Sequence, residues 1–212
     1  MRSILIYTLP TFYVIYLFFV FFLPSYLVWK RTGEKIFLLG KTESAHDFVG
    51  RIYRLITVAS MVIVLLYTFS GTAYQYLVPI PWLEHLQLAF IGGGMLIFSL
   101  LWIILAQVHM GNSWRIGFDQ EKKTEFIQTG LFRISRNPMF LGVRINLLGF
   151  FLILPNAATL VVFVLGDALL QIQVRLEEDY LAKQHGVLYE EYKQKTARWL
   201  LFKKQNMKER DR

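Results

Sequence analysis

The chain has 212 residues, of which 55% are hydrophobic, and its formal net charge is +8. Its apolar residues fall into long blocks, which is typical of an integral membrane protein and excludes an ordinary soluble domain. Cysteine is absent, so disulfides and cysteine-based metal sites are excluded as well. The basic residues cluster between the apolar blocks, as they do in membrane proteins, and we therefore expect membrane lipids and no nucleic acid as partners.

The first half of the chain predicts three transmembrane helices. They are expected over residues 4–29, 52–77 and 84–109, and Pro10 and Pro24 are expected to kink the first of them. The run Gly92-Gly93-Gly94 in the third helix predicts a close approach by another helix or a soft point.

Two shorter apolar segments follow, over residues 139–154 and 157–174, and Pro155-Asn156 separates them. Each is shorter than the ~20 residues of a full span, so we expect a tight helical hairpin. Residues 175–195 are predicted to form an amphipathic surface helix. The fold class is thus all-α, a membrane bundle of about five transmembrane helices.

This pattern divides the chain into an N-terminal region of three helices, residues 1–110, and a C-terminal region, residues 111–212. The C-terminal region holds a basic loop, the hairpin at 138–174, a helix and a tail. The loops at 30–54 and 110–137 and the C-terminus are basic, whereas the intervening turns are not. The positive-inside rule therefore predicts an outside N-terminus and a cytosolic C-terminus. We expect a bacterial inner membrane.

Polar residues inside the hairpin predict its register. If the turn is centred on Pro155-Asn156, facing positions have numbers that sum to about 311, and Arg144 faces Asp167. Such pairs inside spans usually lie in the bundle interior. We favour a structural ion pair, and the alternative is a polar floor beneath a ligand. The same register brings Arg136 towards the adjacent carboxylates Glu177 and Glu178.

The stretch from Gly130 to Gly142 lies where the basic loop meets the hairpin. Asn137 is expected to cap the following helix, and Pro138 suits its first turn, which needs no backbone N–H. Arg175 lies three residues before Glu178 and four before Asp179, so on residue chemistry alone a solvated surface of ion pairs is favoured there. The four histidines show no metal-ligand spacing, and no metal is predicted.

The spacing of these motifs resembles the superfamily of isoprenylcysteine carboxyl methyltransferases and phospholipid methyltransferases. The resemblance covers roughly residues 124–200. It is carried by Phe126-Ile127-Gln128-Thr129-Gly130-Leu131-Phe132, by Arg136-Asn137-Pro138-Met139-Phe140-Leu141-Gly142 and by Glu177-Glu178-Asp179-Tyr180-Leu181 with His185-Gly186, Tyr189 and Tyr192. The resemblance rests on the order of these pieces around a hairpin of this length.

The resemblance implies an enzyme that takes S-adenosylmethionine as its cofactor and methylates a lipophilic acceptor, a small molecule or a lipid that enters from the bilayer. Catalytic positions would be Arg136, Glu178 and Lys195, the last where some members carry an arginine near the acceptor. Tyr189 and Tyr192 would brace the C-terminal helix. The cofactor pocket implied by position comprises Phe126, Ile127, Thr129, Gly130, Arg136, Asn137, Pro138, Phe140, Glu177 and Glu178.

Two residues depart from the superfamily pattern. Asn137 stands where histidine is usual, and Phe140 stands where tyrosine is usual. Neither side chain can carry a proton near neutral pH, so general-base roles are excluded at both positions, whereas binding and shape roles remain. Methyl transfer tolerates this loss, because it depends mainly on positioning and electrostatics.

The sequence therefore favours a membrane-embedded, S-adenosylmethionine-dependent methyltransferase, whose acceptor is a carboxylate, a thiol or an amine. One alternative is an NADPH-dependent sterol-type reductase of the membrane, which has a similar C-terminal architecture. The other is a membrane interaction or transport protein without enzymatic activity, in which the polar hairpin is purely structural.

Overall fold

The computed structural model describes residues 2–33, 44–111 and 126–200. Parts of both basic loops and most of the basic tail lie outside these residues. Within the described ranges the chain is all-α and contains no strand, as predicted. Eight α-helices occur there: α1 (Arg2–Leu17), α2 (Leu23–Thr32), α3 (Ala45–Phe69), α4 (Gly71–Gln75), α5 (Leu86–Met110), α6 (Pro138–Ile153), α7 (Ala157–His185) and α8 (Val187–Lys195).

Four of the described helical segments are long and apolar enough to cross a membrane. They are Arg2–Thr32, Ala45–Phe69, Leu86–Met110 and Ala157–His185. Helix α6 is apolar but has only 16 residues, which at 1.5 Å per residue is about 24 Å and less than a ~30 Å hydrocarbon core. The prediction of an integral membrane bundle is thus confirmed, with one short member.

The first span is a continuous helix with an irregular turn. It runs through Pro10 and becomes π-helical over Phe18–Phe22, where the Leu23 N–H bonds to the Phe18 carbonyl. Pro24 has no N–H to donate, and the helix accommodates this one turn earlier by widening. The π-helical segment thus ends two residues before Pro24, which lies in the first turn of α2.

Serine caps set both ends of the second span, and the predicted bounds of 52–77 are wrong. The Asp47 N–H donates to the Ser44 hydroxyl at 3.2 Å, which starts α3 at Ala45. At the other end the Ala73 N–H donates to Ser70 at 3.2 Å, which separates α3 from the short α4. A side-chain oxygen that satisfies an otherwise unpaired N–H stabilises a helix start wherever the chain offers one.

The predicted turn of the hairpin is present and firmly capped. Asn156 and Thr159 form a capping box, in which each side chain accepts from the other's backbone N–H, at 2.9 and 3.2 Å. The predicted end of the second arm at residue 174 is wrong, because α7 continues to His185 and α8 follows only after Gly186. No glycine or proline interrupts residues 175–185, and Gly186 has φ +53°, a value that glycine adopts readily.

Close packing of α5 against α6 brings the two regions of the chain together. A Cβ on Gly92 would lie 2.7 Å from the Gly149 carbonyl oxygen, and one on Gly149 would lie 2.9 Å from the Gly92 oxygen. Gly93 and Gly94 have no such neighbour within 4 Å. The close approach predicted at this glycine run is thus confirmed, and it depends on Gly92.

Replacing Gly92 by alanine is expected to destabilise the protein by ~1–3 kcal/mol, because a Cβ at 2.7 Å from backbone must push α5 and α6 apart. The matched substitution Gly93→Ala meets open space and is expected to stabilise by roughly 0.5–1 kcal/mol through helix propensity alone. Thermal unfolding in detergent measures both. Equal shifts of the two variants in the same direction would contradict the packing argument.

The helices arrange the candidate site at one end of the bundle. Val28 of α2, Met110 of α5 and Met139 of α6 pack together there. We call this the basic end, because the basic loops leave from it. At the opposite end the Ile80 N–H bonds to the Pro155 carbonyl, which ties the α4–α5 connection to the hairpin turn.

Candidate functional site

The chain between α5 and α6 is held in place before it enters the site. Gly130 has φ +60°, and a Cβ on it would lie 2.5 Å from the His109 ring. The Leu131 N–H donates to His109 Nδ1 at 3.3 Å. A short 3₁₀ turn over Gly130–Arg133 then leads to α6. Glycine fits both requirements, the left-handed φ and the missing side chain.

A buried carboxylate lies at the centre of the site. The Glu178 side chain, near the end of α7, is 6% exposed and is bound by two arginines and an amide. Arg136 donates from Nε at 3.1 Å and from Nη2 at 3.2 Å, and Arg198 donates from Nη2 at 2.7 Å. Asn137 Nδ2 donates to Oε1 at 3.0 Å. We call these four residues the Glu178 cluster.

Arg136 joins this cluster to the end of the described chain. Its Nη1 donates to the carbonyls of Lys193 at 3.1 Å and Thr196 at 2.8 Å, and its backbone N–H donates to the carbonyl of Ala197 at 2.9 Å. We call residues 196–200 the C-terminal segment. The predicted approach of Arg136 to Glu178 is therefore present. Most N–H groups of Arg136 donate to acceptors within the protein.

The predicted helix-capping role of Asn137 is wrong. Asn137 stands at the N-cap position, but its side chain makes no cap hydrogen bond. Its amide instead donates to Glu178 and, at 3.4 Å, to the Arg198 carbonyl. A hydrogen bond to a buried carboxylate is stronger than one to a neutral group, and this explains the preference. Pro138 occupies the first helical position as predicted, fully buried.

Arg198 is a member of the cluster that the sequence analysis missed. Its side chain is 34% exposed, whereas that of Arg136 is 8% exposed. Hydrogen bonds to Glu178 raise the pKa of Arg198 above its ordinary value, so it is always charged. The available signal was an arginine shortly after Tyr192, but no helical period connects that position to α7.

Four rings pack beside the Glu178 cluster. Phe126 stacks on His185 with ring centroids 4.8 Å apart, and it meets Tyr189 at 5.7 Å and Tyr192 at 5.2 Å. We call these rings the aromatic cluster. The Tyr192 hydroxyl donates to the Phe132 carbonyl at 2.6 Å, so the bracing role expected for Tyr192 has a visible bond.

The Tyr189 hydroxyl differs from that of Tyr192. It is buried and has no hydrogen-bond partner in the described part of the chain. Burial, and then the neighbouring charge of Glu178, raise the pKa of Tyr189 well above its ordinary value. The phenol therefore keeps its proton and is available as a donor beside the cluster. A buried polar group in this state is costly unless something binds it.

The other residues predicted for the site lie around it in different environments. Ile127 and Glu177 are half-buried, and Thr129 and Lys195 are exposed. Phe140 packs against the hydrophobic core that joins α1, α3, α5, α6 and α7. The structure thus brings Arg136, Asn137, Glu178 and Phe126 to one place, with Phe140 directed to the core.

The predicted pair of Arg144 and Asp167 is confirmed. Arg144 Nε donates to Asp167 Oδ1, and the Trp199 ring lies 4.6 Å from the guanidinium carbon. Trp199 thus adds a contact of the C-terminal segment with the bundle at Arg144, separate from the hydrogen bonds that residues 196–198 make with the Glu178 cluster. Arg175 does not pair with Glu178 or Asp179, and it donates to Gln171 instead.

Comparison with known proteins identifies one family. The model of the family described as phospholipid methyltransferase matches residues 88–187, a little under half of the chain. The match begins in α5, includes α6 and ends just after α7, so it contains Arg136, Asn137 and Glu178 but not Arg198. A search of curated proteins finds no match.

Proposed function

We propose, from the premise that the chain belongs to the phospholipid methyltransferase group of membrane methyltransferases, that it moves a methyl group from S-adenosylmethionine to a lipophilic acceptor. The observation that supports this most directly is the convergence of Arg136, Asn137 and Glu178 in one buried cluster. All three lie inside the matched region, although some forty residues separate the first from the last.

The residues of the cluster suit the polar groups of this cofactor. Glu178 would accept from its ribose hydroxyls or its ammonium group, and Arg198, the more exposed arginine, would bind its carboxylate. The partnerless Tyr189 hydroxyl would donate a hydrogen bond. Arg136 and Asn137 would hold Glu178 in position, because their donors already point at it. The rings of the aromatic cluster offer faces on which the adenine of the cofactor would stack.

Positioning is the main chemistry that these residues can supply. S-adenosylmethionine, when bound, would supply a methyl group activated by its sulfonium, and transfer to the acceptor would form the acceptor–carbon bond as the carbon–sulfur bond breaks and S-adenosylhomocysteine leaves. Holding the two reactants in line supplies much of the rate enhancement of such a reaction. A carboxylate acceptor needs no base. An amine must arrive unprotonated, and the phenols of Tyr189 and Tyr192, whose pKa values burial raises, are poor bases near neutral pH.

The membrane spans suggest from which side each reactant would reach the site. The basic end would face the cytosol, in accordance with the positive-inside rule. The cofactor would then arrive from water at the Glu178 cluster, and the acceptor, a carboxylate, thiol or amine on an apolar body, would arrive from the bilayer between helices.

Titration with S-adenosylhomocysteine tests the proposal on purified protein in detergent. We expect the parent protein to bind, and Glu178→Gln to bind ~10–100-fold more weakly because a charge-assisted contact is lost. The neighbouring carboxylate provides the matched control: Asp179 is exposed, and Asp179→Asn should bind like the parent. Unfolding curves recorded on the same samples verify that both variants are folded.

A parallel thermal-shift measurement distinguishes the methyltransferase proposal from the reductase alternative. Ligand binding stabilises by ~2.7 kcal/mol at a hundredfold excess over Kd. Stabilisation by NADPH without stabilisation by S-adenosylhomocysteine would replace the methyltransferase proposal with the reductase one. Stabilisation by neither ligand at millimolar concentration would favour a structural role for the cluster.

A further inference from the structure

Arg144 is a charged residue within the membrane bundle. It lies six residues after the start of α6, about 9 Å along the helix axis from Pro138. Its partner Asp167 lies within the apolar span of α7. Ionisable residues are costly at such depth, and where they occur they usually pair or bind a ligand.

The pair of Arg144 and Asp167 is partly accessible and leaves hydrogen-bond donors of Arg144 unsatisfied within the described chain, unlike a purely structural ion pair. About a quarter of each side chain remains accessible, 29% for Arg144 and 25% for Asp167. Arg144 donates only through Nε, and its Nη1 and Nη2 groups have no acceptor among the residues that the structure describes. Arg136 is the internal comparison, since it is 8% exposed and has both Nη groups engaged. Buried ion pairs stabilise only when their remaining donors are satisfied.

Trp199 determines which part of the Arg144 guanidinium a ligand can reach. The guanidinium carbon lies over the indole ring, 4.6 Å from the ring centroid. Stacking on an aromatic ring leaves the N–H edge of arginine available, and this edge binds carboxylates and phosphates through two parallel hydrogen bonds. The chemistry that fits is therefore an oxyanion.

The surface around Asp167 provides a path for an apolar chain. Val164 and Leu160 lie three and seven residues before Asp167, on the same face of α7, and they are 53% and 39% exposed. Glu178 lies eleven residues after Asp167, again on that face and about 16 Å away along the axis. One face of α7 thus carries, in order, an apolar stripe, a charged pair and the Glu178 cluster.

We propose that Arg144, with Trp199 stacked on it and Asp167 orienting it, binds the anionic headgroup of a single-chain amphiphile that enters from the bilayer. The headgroup is a carboxylate or a phosphate, and its chain lies along Leu160 and Val164. The role of this site as the anchor of a methyl acceptor rests on the proposed methyl transfer, whereas the binding itself does not.

A dibrominated stearate is the probe, because bromine quenches nearby tryptophan fluorescence. The difference between the parent and Trp199→Phe isolates the quenching of Trp199. We expect saturable quenching in neutral detergent, with an affinity ~10–100-fold higher for the acid than for its uncharged methyl ester. Equal affinities of acid and ester for the parent protein would overturn the proposal, and this comparison requires no variant to fold.

Charge variants provide the second arm. The double variant Arg144→Gln with Asp167→Asn is expected to bind the acid as weakly as the parent binds the ester. The matched control is Arg175→Gln, which removes an exposed arginine that donates to Gln171, and it should bind like the parent. Unchanged binding by a folded double variant would overturn the proposal.

Competition identifies the source of the oxyanion. Stearate and lysophosphatidic acid are both expected to displace the probe. If stearate is effective at the lower concentration, the preferred headgroup is a carboxylate, and if lysophosphatidic acid is, the preferred headgroup is a phosphate. Displacement by stearyl alcohol at the same concentration would overturn the anionic site. The measurements use no cofactor, so their failure would leave the S-adenosylhomocysteine titration to decide the proposed function separately.

Discussion

Replacement of Glu178 by leucine is expected to lower the free energy of unfolding by ~3–5 kcal/mol, the usual cost of removing one partner from a buried ion pair. The substitution leaves the buried Arg136 without its carboxylate, and it frees the Asn137 amide and Arg198 as well. Since Arg198 and Arg136 fasten the C-terminal segment to the bundle, this segment should loosen together with the loss of stability. Thermal unfolding in detergent, followed by circular dichroism, measures the effect.

The matched control is the next residue along α7. Asp179 is exposed, and surface substitutions away from such contacts usually stay within about 0.5 kcal/mol. Asp179→Leu should therefore unfold close to the parent, although it removes the same charge from the same helix end. Glu178→Gln, which keeps the size and one acceptor oxygen, should lie between the two. Similar losses for Glu178→Leu and Asp179→Leu would mean that the cluster does not hold this end of the bundle.

The contacts that the sequence predicted well all depend on regular geometry. A turn at Pro155-Asn156 fixes an antiparallel register, and this register alone brought Arg144 to Asp167 and Arg136 to Glu178. The long apolar blocks likewise predicted the presence of the spans, because an apolar block of that length has few other stable conformations in a membrane.

The contacts that the sequence did not predict come from irregular chain. Arg198 and Trp199 lie in the C-terminal segment, which has no period, so their positions depend on where α8 ends and on the carbonyls that Arg136 binds. The use of the Asn137 side chain was mispredicted for a related reason. A local capping rule competes with a long-range bond to Glu178, and the long-range partner is visible only in the folded chain.

The end of α7 illustrates a third kind of error. The change from apolar to charged residues at Arg175 marks the end of the apolar block, and hydropathy alone predicts that a helix ends there. Helices continue until a breaker or a cap stops them, and here Gly186 does so eleven residues later. This extension carries Glu178 on the same rigid helix as Asp167, which fixes the spacing of the two charged sites.

Replacing Arg144 by leucine is the second large expected effect. Asp167 then remains as an unpaired carboxylate inside an apolar span, and the loss should approach ~3–5 kcal/mol, toward the lower value because a quarter of the pair is accessible. Changing both residues to leucine should cost much less than either single substitution, since no charge is left behind. Unfolding free energies of the parent, the two single variants and the double variant together form a double-mutant cycle.

The cycle also separates the pair from the other contact of Arg144. Stacking on Trp199 is worth ~0.5–1 kcal/mol at a partly exposed position, so Trp199→Leu should be far milder than Arg144→Leu. Because the double variant is expected to cost less than either single variant, the coupling energy between Arg144 and Asp167 should exceed the cost of one single substitution, about 3 kcal/mol, which is the upper limit of the range usual for residues in direct contact. If the double variant lost as much stability as the sum of the two singles, the coupling would be zero. The two side chains would then be independent, and α6 and α7 would be held by apolar packing alone.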